Sequence, residues 1–336
     1  MISSSRASRQ PVREPWTLAR LVHERAIALG HAVDRSTALS YSSHLQSYLT
    51  FCKLHAFPVE PTPDTLSFYT VFMSHHIKPS SVDSYLSGIC HELQSVFPTV
   101  RSARRDPLVV RTLAGCKRLY NTPVRRKAPL TVGHLTRALA FFPPTSHDNL
   151  LFLALLGSGF FALHRLGELV SPDSAGLRVW RKVILRSSAF VTADAYGYTL
   201  PGHKADRFYA GSQILVSADL PTLPGFQPRA LFGAYLASRD RLFPLEPALW
   251  LTSSGTLPTR RWFLSRLAAC VPDADIAGHS LRAGGATFYA AAGWPDDRIQ
   301  ALGRWSSEAF RIYIRQHPVL LQALLFARTA APAPRE

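Results

Sequence analysis

His279 and Arg282 stand three residues apart, the interval that puts two side chains on one face of a helix. Trp305 follows in a Gly303-Arg304-Trp305 turn, and Tyr313 in an amphipathic segment beside Ile312 and Ile314. A histidine, an arginine and a tyrosine converging on one point suit phosphate chemistry. Arginine presents a planar fork matched to phosphate oxygens. An imidazole can bond the same oxygens. A tyrosine hydroxyl becomes a nucleophile once its proton is removed or the phosphate is made strongly electrophilic. Tyr289 is the rival hydroxyl, but it stands in an Ala-rich helix that reads as core.

The elements that must position these groups are mostly helical. Apolar spacing and start signals predict five helices in the first part: Thr17 to Leu29, Ser36 to His55, Pro63 to His76, Ser80 to Val96 with Ser80 or Ser81 as its cap, and Asp106 to Tyr120. Residues 1–15 read as a disordered basic tail. Residues 122–129 (TPVRRKAP) read as a linker with two prolines and the run Arg125, Arg126, Lys127. That run is either a solvated connector or a strap along phosphate, and both can hold. Helix resumes at Leu130. The apolar run from Leu150 to Leu163 is short for a membrane span and ends in His164-Arg165, so it predicts a buried helix. From Val183 to Val216, Phe190, Val191, Tyr196, Tyr198 and Leu200, with turn signals at Gly197 and Pro201-Gly202, predict a small antiparallel sheet. Helices return from Pro228. The expected fold is mainly α with one small antiparallel sheet (α+β), in two domains: residues 16–121, and residues 130–336 with a C-terminal helix.

The net charge of the 336 residues is +16, the usual footprint of a polyanionic partner. Residues 1–129 contribute +9 and residues 130–336 contribute +7, which fits a chain that surrounds its partner better than one with a basic tail. The four cysteines, Cys52, Cys90, Cys116 and Cys270, are scattered. That spacing argues against a zinc site or a disulfide framework. No acidic cluster for two metals and no P-loop occurs, so no metal and no cofactor is expected.

Taken in order, the motifs resemble those of the tyrosine recombinases, the family of the phage integrases, Xer and Cre. Its His-x-x-Arg, Leu-Gly-His/Trp and Tyr elements are matched by His279-Ser280-Leu281-Arg282, Leu302-Gly303-Arg304-Trp305 and Tyr313. Its Arg-x-Gly-Glu-Leu helix is matched by Arg165-Leu166-Gly167-Glu168-Leu169, and its hairpin lysine by Lys204 in Leu200-Pro201-Gly202-His203-Lys204-Ala205-Asp206. The resemblance covers residues 17 to 318; in the helical first domain, which resembles the family's core-binding domain, it is weak in sequence. Trp305 and Tyr313 are eight positions apart where the family usually has nine, and Arg282 is followed by Ala-Gly-Gly-Ala-Thr instead of a His-Thr. In both respects the chain looks similar to the Crypton and DIRS recombinases of eukaryotic mobile elements.

The resemblance implies DNA strand cleavage and rejoining through a 3′-phosphotyrosine, in site-specific recombination or integration of a mobile element. Tyr313 would be the nucleophile and Lys204 the general acid. Arg165, His279, Arg282 and Trp305 would bind the phosphate, and Glu168 would orient an arginine. The two domains would clamp double-stranded DNA, four protomers would assemble on it, and no membrane is involved. The enzyme would act in the nucleus of a eukaryotic host, otherwise in the cytoplasm. Alternatives are a type IB topoisomerase, an inactive DNA-binding protein derived from a mobile element, and a helical scaffold with no DNA role. Each residue also has a plainer reading: Arg165 as a charge favoured by a helix C-terminus, Lys204 as an exposed hairpin lysine, Trp305 as core packing.

Overall fold

The structure is a computed structural model; it describes residues 13–122, 127–202, 206, 209–217, 225–305, 307 and 311. The chain divides into two compact units, Met1–Val124 and Arg125–Glu336. The first is helical: α1 (Leu18–Gly30), α2 (Arg35–Leu54), α3 (Pro63–Ser74), α4 (Pro79–Leu93), α5 (Val100–Arg105) and α6 (Pro107–Tyr120). Prolines open α3, α4 and α6, where the missing N–H has no helical partner to lose. Thr62 and Asp106 side chains accept from the first-turn amides of α3 and α6. Neither Ser80 nor Ser81 caps α4; the chain enters it through Lys78, two residues before Ser80. The sequence pattern also missed α5, whose six residues bury only Val100 and so carry no periodicity to detect. The core is formed by Tyr48, Phe51, Leu66, Tyr69, Val82, Leu86 and Ile89 from α2, α3 and α4.

The second unit is built on α8 (His147–Phe161), preceded by α7 (Val132–Phe141). Every α8 residue from Leu150 to Phe161 is buried, so the long apolar run is an interior helix, as expected. A four-residue α9 (Leu166–Leu169) follows. Strands β1 (Phe190–Val191), β2 (Ala195–Leu200) and β3 (Ser212–Ser217) form one antiparallel sheet in the order β1-β2-β3. Gly197 is not a turn, contrary to the sequence reading: it lies inside β2, opposite Leu215. A Cβ there would overlap the Ile214 carbonyl, so its glycine serves close approach between strands. Then come α10 (Pro228–Leu242), α11 (Arg260–Cys270), α12 (Gly278–Ala291) and α13 (Asp296–Gly303). α10 and α12 both pack on α8. The architecture is therefore mainly α with one small antiparallel sheet. Among the described residues no helix is long and apolar enough to cross a membrane.

Candidate active site

The end of α8 sets the first half of the site. Leu163, at φ +51°, turns the chain sharply after the helix. Arg165 then stands at the N-cap of α9, so the reading of it as a charge at a helix C-terminus is wrong. Glu168, one turn on, is almost buried, with its side chain 6% exposed. Its Oε1 accepts from Arg165 Nη1 at 2.9 Å. Its Oε2 accepts from the Arg165 backbone N–H at 3.1 Å, His164 Nδ1 at 3.0 Å and Arg304 Nη2 at 3.1 Å.

His164 is fully buried, and Tyr198 of β2 lies 2.9 Å from its Nε2. Burial pushes its pKa down to about 4, against the opposing pull of the Glu168 bond. The ring is therefore neutral at pH 7. The carboxylate requires a proton on Nδ1, so Nε2 accepts from the Tyr198 hydroxyl. Burial alone would raise the Glu168 pKa. The hydrogen bonds from His164 and Arg165 and the charge of Arg304 outweigh it and hold the carboxyl below the usual carboxylate range.

The second half comes from α12 and the turn after α13. Two glycines let α12 sit tightly. A Cβ at Gly284 would overlap the Leu130 carbonyl, and one at Gly285 the Phe160 carbonyl. Arg282 is thereby 2% exposed; it donates to the Leu163 carbonyl at 3.0 Å and also to the Gly303 carbonyl. The Trp305 ring covers it, 4.1 Å from guanidinium carbon to ring centroid. Gly303 makes that possible, since any Cβ there would overlap the indole. Between them Arg304 adopts the left-handed conformation at φ +55°. Its Nη1 donates to the Ala162 and Leu302 carbonyls, and its Nη2 reaches Glu168. Segments 162–168 and 302–305, with α12, thus gather Arg165, Arg282 and Arg304 around one carboxylate and a neutral imidazole. Guanidinium does not deprotonate in proteins, so the cluster carries a net excess of two positive charges, which suits an anion.

His279 shares α12 with Arg282 but is exposed, while Arg282 is buried; helical spacing put them on one element, not at one depth. Tyr289 is excluded as an accessible nucleophile. It is buried, its hydroxyl donates to the Phe161 carbonyl at 2.8 Å, and burial raises its pKa. Lys127 donates to the Ala274 carbonyl at 2.7 Å and faces Asp275 at 4.0 Å. Lys204, Tyr313, Arg125 and Arg126 lie outside the described residues. Among the described residues no group of three or more His, Cys, Asp or Glu could hold a metal ion. Sequence reasoning missed His164 and Arg304. His164 stood beside Arg165 with no motif of its own, and only the odd identity of an arginine between Gly303 and Trp305 marked the other.

No family profile and no curated protein matches this chain. Solved structures do. The Tn1549 transposon integrase in complex with transposon right-end DNA aligns at 14% identity over 92% of this chain and 98% of that one, with a TM-score of 0.56. A lambda integrase dimer bound to a COC′ core site aligns at 14% over 88% and 94%, with a TM-score of 0.55. A lambda integrase tetramer bound to a Holliday junction aligns at 14% over 88% and 76%, with a TM-score of 0.52.

Proposed function

From a chain with the tyrosine-recombinase fold, we propose an enzyme that cuts and rejoins double-stranded DNA through Tyr313. The observation that carries this is the arginine cluster: Arg165, Arg282 and Arg304 gathered with a net positive charge where one phosphodiester would sit. The Tyr313 oxygen attacks phosphorus and the bond to the 5′-oxygen breaks. Lys204 gives that oxygen a proton. Arg165, Arg282, His279 and Trp305 hold the nonbridging oxygens as charge builds on them. The 3′-phosphotyrosine keeps the bond energy, and a 5′-hydroxyl from another strand reverses the step, so neither metal nor nucleotide is required.

Four of the five other tyrosines of the second unit support the choice of Tyr313: Tyr196, Tyr198, Tyr235 and Tyr289 are buried, and burial raises the pKa of each, while Tyr209 is half-buried. The tetrameric lambda integrase on a Holliday junction motivates the expectation of four protomers on DNA here, as in recombination or integration of a mobile element. The test uses nicked duplexes of randomised sequence, which trap a covalent adduct because the cut end diffuses away. The wild-type chain should give a protein–DNA band that survives denaturant and excess EDTA. Tyr313→Phe should bind the same DNA and give none. An adduct from Tyr313→Phe, or a requirement for Mg²⁺, refutes the mechanism.

A further inference from the structure

Glu168 has two oxygens, and they are shared unequally. Arg165 holds Oε1 through one guanidinium nitrogen. Oε2 is taken by Arg304, His164 and the Arg165 backbone amide. An arginine beside a free carboxylate closes on it with two parallel bonds. Here the second oxygen is occupied, so Arg165 is tethered by a single side-chain bond and its side chain stays 28% exposed.

Arg304 reaches that oxygen from a backbone conformation that disfavours it. A left-handed backbone is unfavourable for a residue other than glycine, and a turn that needed only the geometry would carry Gly or Asn. The side chain instead is 11% exposed. Its two terminal nitrogens are bound to Ala162, Leu302 and Glu168. A guanidinium held this way is not presented as a fork for a ligand.

We propose that Arg304 is a positioning residue: by occupying Oε2 of Glu168 it denies Arg165 the two-pronged grip and leaves the remaining Arg165 donors for a phosphate oxygen. This rests on the phosphoryl-transfer reading above. It also puts Arg304, one residue before Trp305, at the family's usual interval from the tyrosine. Counted from Arg304, Tyr313 is nine positions on.

The test measures single-turnover cleavage of nicked duplexes by the full chain at saturating protein. Arg304→Gly keeps the turn and removes the guanidinium. Cleavage should slow by about ten- to a hundredfold, the scale for misplacing a group at the chemistry. DNA affinity should change by less than about threefold. Arg304→Lys, which keeps a cation near Oε2, should recover most of the rate. Because Arg304 acts through Glu168, the double variant with Glu168→Gln should be no slower than the slower single variant. Arg304→Gln, which keeps the aliphatic stem, carries the same comparisons if the glycine variant melts below assay temperature. Full-speed cleavage by the Arg304 variants overturns the proposal. So does a double variant whose losses multiply, since Arg304 would then touch the phosphate itself. If the wild-type chain forms no adduct, the functional reading fails and takes this one with it. An adduct in the wild type with unaffected variants sinks this inference alone.

Discussion

At the scale of single residues, the chain Tyr198–His164–Glu168 makes the site sensitive to acid. His164 titrates near 6.5 when free and near 4 when folded. Between those values the unfolded chain binds a proton that the folded chain refuses. Stability therefore falls as pH drops from 6.5 towards 4, by roughly 3 kcal/mol at most. His164→Gln keeps a donor for Glu168 and an acceptor for Tyr198 but cannot titrate. Urea midpoints at pH 7 and pH 4.5 should differ much less in that variant than in the wild type; equal differences would show that another group governs. Lys204 has its own test. Lys204→Ala should be slow on ordinary DNA and recover on DNA with sulfur at the 5′-bridging position, because a thiolate leaves without a proton. Without recovery the role passes to another group, His279 first. Arg165, Glu168 and Arg282 were legible because each sits in a local motif. His164 and Arg304 were not, because their roles arise where residue 304 meets residue 168, a contact that no local pattern encodes.

Among the elements, α12 has the least tolerance. Gly285 faces the Phe160 carbonyl with no room for a methyl group, so Gly285→Ala must lift α12, and Arg282 with it, off α8. The expected loss is on the order of 3 kcal/mol, or about 10 °C in Tm. Gly167→Ala, where nothing lies within 4 Å, is the control. Equal melting of the two variants would mean that α12 shifts freely. The helices were legible through their periodicity and their Pro and Asp starts, as at Pro63 and Pro107. Gly197 was misread because the reason for it is a carbonyl on the neighbouring strand, and local sequence cannot separate that from a turn. α5 escaped notice for its shortness.

At the scale of the whole molecule, charge is the dominant feature, and each part of the chain carries a large excess of it. Binding to a duplex should weaken steeply with salt, by roughly a thousandfold or more between 50 and 200 mM if six or more phosphates are neutralised. A flat titration would remove DNA as the partner. Fold class was readable from the sequence because long helices and one short sheet each leave a period.

The indole of Trp305 lies over Arg282. Inorganic phosphate, nucleotides and metabolites all compete for exposed guanidinium groups in a cell. To reach Arg282 any of them must first displace a stacked ring worth about 1–2 kcal/mol, a penalty of roughly tenfold in affinity for a small anion with few other contacts. A polymer held at many phosphates hardly notices it. For the proposed DNA enzyme, discrimination against the common small anions would thereby be set before any base is read.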